Sequence, residues 1–478
     1  MHASVIVRFP FERPVHQHLC DCAFCPCRAR PVGRHRHRTL RHEPLALSNQ
    51  STVDRWSESA QEVHRPGAGV VVPCEHGSAG ARDGVPVGTI LGVPGPGANV
   101  ARLRKEKGWG QDRLAAAAGV STSQLGKVER GQRTLTQGVA ASLARALGLP
   151  LEEVLGTAPV PLNAETSLKS LYAAVRRFDI PGDQTVSAEE LSLSLRDMVV
   201  LRGDGDLSNL LARLPDLVAK TQAHAHSVNT PESWAMVSQA YSAVYWLAAR
   251  HRWMTLADLA VTKQKIAALQ ADPVSLAIAA RDEAGVHLNH GEFGDGLSVV
   301  DRAITQVEAS TTGRQRAYAL GILHLRGLTL AGRAKERHTA DQHIQRAWSL
   351  AEEFHNEANR HGIHFGPENT AVHIVATSGD LNRHQDAVST LAELTKNSRK
   401  ITLPATRISP LHMNIARSEL ALGNRDKALE HLEQAWKLGP QLAKVHPTAQ
   451  ELLRVLISRH KRSNPRLTKL ARMAKIQF

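Results

Sequence analysis

Residues 99–155 read NVARLRKEKGWGQDRLAAAAGVSTSQLGKVERGQRTLTQGVAASLARALGLPLEEVL, and the rest of the chain is organised around this stretch. Within it, Gln111 to Arg130 has the pattern of two short helices joined by a tight turn. The first carries Leu114 and Ala115 inward and stops at Gly119, where a residue without Cβ enters the left-handed conformation at no steric cost. Ser121 is placed to cap the second helix, which buries Val120, Leu125 and Val128. Ala115 is small where the two helices cross. Turn glycine, small crossing residue and apolar positions together describe a helix-turn-helix, the unit whose second helix enters the DNA major groove.

At these residues the segment resembles the DNA-binding domain of the XRE family, the five-helix fold shared with Cro and the phage repressors. Gln111, Ala115, Gly119, Val120, Ser121 and the run Val128, Glu129, Arg130, Gly131 fall in register with that family's pattern. So do Leu143 to Gly148 and Leu151 to Leu155, so the match extends across all five helices. Two positions depart from the pattern. Gly110 stands where the family usually has Ser or Thr, and Gly126 lies inside the recognition helix in place of the usual Ser. Glycine in a helix interior costs roughly 1 kcal/mol relative to Ala, so Gly126 is expected to soften that helix.

The docking geometry of such a unit assigns roles. Thr122, Ser123, Gln124 and Lys127, at the start of the recognition helix, are expected to reach base edges. Gln111, Arg130, Gln132 and Arg133 are expected to hold phosphates. The resemblance further implies a structural pair, Arg104 on helix 1 with Glu129 at the end of helix 3.

Charge is distributed accordingly. The whole chain carries +14, yet residues 99–156 hold nine Lys/Arg against five Asp/Glu, and residues 452–478 hold eight basic residues and no acid. Residues 157–451 are nearly neutral, with 31 basic against 32 acidic side chains. The basic helix-turn-helix suits double-stranded DNA as partner. The basic tail (Arg459, Lys461, Arg462, Arg466, Lys469, Arg472) reads as a solvated terminal helix. No apolar run is long enough for a membrane span, so no membrane partner is expected, and no signal peptide is expected. The body after residue 98 has no cysteine, which agrees with a reducing compartment, and the expectation is a cytoplasmic protein.

Residues 1–95 are rich in Arg, His, Pro and Gly without helical or strand periodicity, and are expected to be a disordered extension. They include Cys20, Cys22, Cys25 and Cys27, a thiol cluster that lacks the second knuckle of a structural zinc site, so no metal is expected there. The DNA-binding domain is expected over 96–158, a Pro-containing linker over 159–164, and helix after helix from 165 to 478. In His412–Pro440 the residues Ala416, Gly423, Ala428, Leu432, Ala435 and Pro440 have tetratricopeptide (TPR) spacing. Looser copies place Ala284, Gly296, Val300 and Ala303, then Ala340, Ile344 and Ala347, at equivalent positions. The fold class is therefore all-α: a five-helix DNA-binding domain followed by a TPR-like α-solenoid of roughly six to eight helix pairs. This arrangement resembles a common class of bacterial transcriptional regulators, and Phe365-Gly366-Pro367 with His373, Leu403-Pro404-Ala405-Thr406-Arg407 and Ala416-Arg417 are similar to its recurring segments.

Catalytic signatures are missing: no nucleophile elbow, no Walker or dinucleotide fingerprint, no HExxH. His355, His361, His364 and His373 invite a metal reading, but packing roles suit a chain with 25 histidines. No cofactor and no enzymatic activity are expected. Two function classes remain. The first is a sequence-specific DNA-binding regulator whose TPR-like body forms a homodimer or takes a peptide or small-molecule effector. The second is a TPR-like protein-interaction scaffold with a vestigial helix-turn-helix.

Overall fold

The computed structural model describes residues 95–156, 165–182, 186–397, 401–460 and 464–474. The cysteine cluster, the extension up to residue 94 and the linker 159–164 lie outside the described residues, as do Lys461 and Arg462 of the tail. Five helices come first: α1 (Pro96–Glu106), α2 (Gln111–Ala118), α3 (Thr122–Glu129), α4 (Gln137–Leu147) and α5 (Leu151–Leu155). Gly119 takes the left-handed conformation at φ 64° and closes α2, and the Ser121 hydroxyl accepts from the Gln124 amide to start α3. Val100, Leu114, Leu125, Val128, Leu143 and Val154 form the buried centre of this domain.

After α6 (Glu165–Arg176) the body is built of helix hairpins. The first two are α7 (Ala188–Asp204) with α8 (Leu207–Val228) and α9 (Pro231–His251) with α10 (Met254–Ala268). Next come α11 (Pro273–His290) with α12 (Phe293–Ser310) and α13 (Gly313–Ala334) with α14 (Arg337–Ala351). The last two are α15 (Pro367–Asp380) with α16 (His384–Asn397) and α17 (Ala405–Ala421) with α18 (Arg425–Leu438). The first helix of each hairpin packs on the first helix of the next, so α7, α9, α11, α13, α15 and α17 form the inner wall. The repeat is visible in detail. His324 and His343 of one hairpin pair through Nδ1 at 2.9 Å, and His412 and His431 of another do the same across an equal separation in sequence.

The inner wall comes round on itself. α17 packs on α7, and the Gln441 amide donates to Asp206 at 3.1 Å from α19 (Pro440–Val445). The solenoid is thus closed into a ring. Two final helices, α20 (Pro447–Arg459) and α21 (Pro465–Ala474), pack beside α17 and α18, with Leu467, Leu470 and Ala471 of α21 buried. The tail helix is therefore packed on one face rather than solvated all round, and its Arg466 pairs with Glu433.

One short β-hairpin interrupts the helices: β1 (Ala358–Arg360) and β2 (Ile363–Phe365), antiparallel, with Arg360 opposite Ile363. His361 and Gly362 make its turn at φ 58° and 78°, the double positive φ that a two-residue hairpin turn demands. Phe365 then lies flat against α13 because Gly321 has no side chain; a Cβ there would meet the ring at 2.1 Å. The Phe-Gly-Pro segment is thus the docking point of the hairpin, with Pro367 opening α15. Among the described residues no helix is long and apolar enough to cross a membrane.

Candidate nucleic-acid interface

The recognition helix α3 is held from behind. Arg104 donates from Nε and Nη2 to the two oxygens of Glu129, at 2.7 and 2.9 Å, and from Nη1 to the Trp109 carbonyl at 2.8 Å. Gln111 Nε2 donates to Glu129 Oε2 at 2.8 Å, so one carboxylate ties α1 and α2 to the end of α3. Burial opposes the charged form of Glu129, but the hydrogen bonds from Arg104 and Gln111 outweigh it and hold the carboxyl below its ordinary range. The hydrogen bond to Glu129 in turn raises Arg104. The side chains are only 10% and 6% exposed, so this pair is an internal strut.

In front of that strut, Ser123, Lys127, Arg130, Gln132 and Arg133 are exposed, while Gln111, Thr122 and Gln124 are half-buried. Thr122 donates to Asp112 at 2.8 Å and Gln111 is engaged with Glu129, so two of the eight candidate contacts are partly occupied inside the domain. Gly126 has a local use: a Cβ there would approach the Arg130 guanidinium at 3.1 Å and the Gln111 side-chain oxygen at 3.6 Å. The missing side chain lets Arg130 fold back over α3, where its Nε donates to Gln132 Oε1 at 3.3 Å. Among the described residues Ser123, Gln124, Lys127 and Arg133 are left without a side-chain hydrogen bond on this face. Trp109 stacks under Lys107 and Arg113 at 4.7 and 4.4 Å, adding two cations at its edge.

The domain is bound to the ring, in part through the loop that carries Gln132 and Arg133. Leu135 N donates to Glu451 Oε1 at 3.3 Å, Ser458 Oγ to the Gly131 carbonyl at 2.9 Å, and Arg459 Nη2 to the Gln132 carbonyl at 2.9 Å. Arg145 Nη1 reaches the Gly291 carbonyl at 3.2 Å. The apolar core of the domain is continuous with Ala277, Leu297, Leu323 and Leu330 of α11 to α13. Glu451 is almost fully buried in this contact, and burial pushes its carboxyl up to about 7. α20 therefore grips backbone carbonyls of the loop after α3 and leaves that loop's side chains outward.

Residues 100–154 match the helix-turn-helix family. An uncharacterized HTH-type transcriptional regulator, y4dJ of Sinorhizobium fredii, is 42% identical over 59 residues, which are 12% of this chain and 77% of that protein. The chain belongs to the helix-turn-helix transcriptional regulators. Among solved structures, PlcR of Bacillus thuringiensis in complex with the peptide PapR7 and DNA covers 72% of this regulator with 93% of its own chain, at 10% identity and a TM-score of 0.29. The apo form of the competence regulator ComR from Streptococcus vestibularis covers 55% with 93% of its chain, at 13% identity and a TM-score of 0.20.

The histidines singled out in the sequence do not converge on a metal site. His361 lies in the hairpin turn, His364 on β2 and His373 on α15, where its Nδ1 meets Thr329 at 3.2 Å. Burial lowers His361 and His364 to about 4, so both are neutral imidazoles. Among the described residues the cluster with metal-ligand spacing is His287, Glu292 and Asp295 at an exposed turn, with His287 already hydrogen-bonded to Glu292 at 2.8 Å. The residues that sequence reasoning missed are Glu451, Ser458 and Arg459. They lie more than 300 positions from the loop they hold, and no local pattern marks such a pairing.

Proposed function

We propose that the regulator reads an operator in the major groove with Ser123, Lys127, Thr122 and Gln124. Gln111, Arg130, Gln132 and Arg133 hold the flanking phosphates. The observation that carries this reading is the exposure of Ser123, Lys127, Arg130, Gln132 and Arg133 around a helix braced by the Arg104–Glu129 pair. Backbone-held phosphate contacts fix orientation and base-edge contacts select sequence. One such domain covers few base pairs, so the regulator acts as a homodimer on half-sites about one helical turn apart. Leu193, an exposed apolar residue on α7, offers a contact for the second copy. The ring takes an effector and sets the arrangement of the two heads, acting only through different affinity for the two states. The protein works in the cytoplasm and no catalytic step enters this reading.

The test is selection of bound fragments from random-sequence DNA with the full chain, followed by sedimentation. A two-fold-symmetric site and a dimer are expected. Enrichment of no sequence at all would leave the ring as a protein-interaction scaffold.

A further inference from the structure

Five of the six inner helices carry arginines whose charges act on one another: Arg202 from α7, Arg250 from α9, Arg281 from α11, Arg326 from α13 and Arg407 from α17. The sixth, α15, contributes His373, which burial keeps neutral. Two carboxylates lie near these guanidiniums: Glu357, which faces Arg407 with its carboxyl pushed up to about 7 by burial, and Asp282, which is already committed. Its Oδ1 accepts from Arg281 at 2.6 Å, and its Oδ2 from Ser242 at 2.6 Å and Gln264 at 3.2 Å. Among the described residues no carboxylate lies within ion-pairing distance of Arg202, Arg250, Arg326 or Arg407.

Arg202 and Arg250 flank the Trp246 ring at 5.3 and 4.8 Å, which fixes their planes without neutralising them. Arg250 Nε is buried with no hydrogen-bond partner. Arg326 is tethered through Nε to the Arg281 carbonyl at 3.1 Å, and that tether carries no charge. Burial, and after it like-charged neighbours, lower Arg202 and Arg250 to about 10 and Arg326 in the same direction. Arg407 is lowered by burial and then by all four of the other arginines. Crowding unpaired guanidiniums together opposes folding unless a counter-charge enters. A concave low-dielectric wall of one sign also concentrates the opposite charge.

We propose that the interior of the ring is a binding site for a compact polyanion: a phosphate ester carrying three or four negative charges, held by Arg202, Arg250, Arg281, Arg326 and Arg407. Guanidinium forks match phosphate oxygens two at a time. The excess of guanidiniums over carboxylates selects a diphosphate or triphosphate group over a simple dicarboxylate. Access is by a groove of about 830 Å³ at the starts of α9, α11 and α13, lined in part by Arg360 and His361. Its floor meets the arginine cluster at His361, whose carbonyl accepts from Arg202 Nη1 at 3.3 Å. The groove also carries Glu232 and Asp272, the latter neutralised by Arg360 at 3.1 Å. A volume of that size accommodates the rest of a nucleotide-sized molecule. This inference names the ligand class for the effector role proposed above, and its test does not depend on DNA.

The experiment is calorimetric titration and thermal melting of the full chain with inorganic pyrophosphate, and in parallel with ATP, at constant ionic strength in chloride. One equivalent of pyrophosphate is expected to bind saturably and raise the melting temperature by several degrees. Arg407→Gln and Arg250→Gln should each weaken it at least tenfold, while Arg133→Ala on the DNA-facing loop leaves it unchanged. If Arg407→Gln fails to fold, Arg250→Gln carries the same comparison. Absence of saturable binding to the unmodified chain overturns the proposal. So does binding that survives both ring variants but is lost in Arg133→Ala, which would put the anion on the DNA surface. Operator binding by Arg407→Gln, measured without pyrophosphate, reports separately on the DNA reading.

Discussion

In the DNA-binding domain Arg104 faces one carboxylate, and that carboxylate has its lone pairs filled by Arg104 and Gln111. At the far end of the inner wall one carboxylate, Asp380, stands between two guanidiniums, Arg333 at 2.6 Å and Arg417 at 2.7 Å. Inside the ring, Asp282 answers Arg281, Arg202 and Arg326, while Arg250 and Arg407 have no ion-pair partner among the described residues. All three places bury charge, but only the Arg104–Glu129 pair closes its own electrostatics. A balanced buried pair is a strut, because taking one partner away strands the other. An unbalanced cluster contributes nothing to folding by itself and is retained for what completes it. Helix-turn-helix and ring therefore use the same residue type for opposite ends.

The strongest way to break this comparison is at the strut. Arg104→Ala should destabilise the protein by roughly 3–5 kcal/mol, since Glu129 would stay buried without a counter-charge. Thermal melting of the full chain checks this, and an unchanged midpoint would refute the strut. Glu129 also gives the pH sign. Its folded value lies below its unfolded one, so its contribution is complete above the ordinary carboxylate range of about 4.3 and is lost as pH falls through the folded value.

Glu451, between the domain and α20, should behave in the reverse sense. Its carboxyl is raised to about 7, so between the ordinary range of about 4.3 and 7 the folded chain keeps a proton that the unfolded chain has released. Stability is therefore expected to fall as pH rises through that window, by on the order of 1–3 kcal/mol, and to level off above it. Glu451→Gln keeps the acceptor for Leu135 N and should flatten the profile, making the variant the more stable protein at pH 8. Melts from pH 5 to pH 8 decide it; parallel curves for both proteins would show that docking does not depend on this proton.

On the DNA side, Lys127→Ala is expected to relax preference at one base pair, at a cost of ~1–3 kcal/mol, without altering the melting temperature. Arg133→Ala should weaken cognate and random DNA alike and reduce the salt slope by about one unit. Identical losses for both variants on both DNAs would overturn the division into base and phosphate contacts. Smallest of all is the expected stability change for Arg407→Gln in buffer free of polyanions: none, or a slight gain, because the removed charge has no partner. A loss as large as that of Arg104→Ala would make the ring arginines struts after all and erase the contrast.

Much of the domain was legible because its signals are local. Gly119, Ser121 and the spacing of Leu114, Leu125 and Val128 act within a few residues of one another, and the helices form where these residues place them. The TPR-like hairpins were legible for the same reason, through small residues such as Ala416 and Ala428 at helix crossings. The β-hairpin was not, since three-residue strands leave no periodicity and His361 carries an uncommon positive φ for a non-glycine residue. Nor did the eight DNA-facing candidates look unequal in sequence, although Gln111, Thr122 and Arg130 turn out to be engaged within the domain.

By itself, then, the sequence determined the helices, their repeat and the chemistry offered by the recognition helix, because capping, turn geometry and apolar spacing are interactions between near neighbours. The tertiary structure alone decided that the solenoid closes with α17 on α7, that α20 holds the loop after α3, and that five arginines spread from 202 to 407 meet in one space. Residues 157–451 are neutral on average, so composition concealed that concentration of charge. It arises only when the inner helices are brought round a common axis, and that closure depends on contacts hundreds of residues apart, which no window along the chain contains.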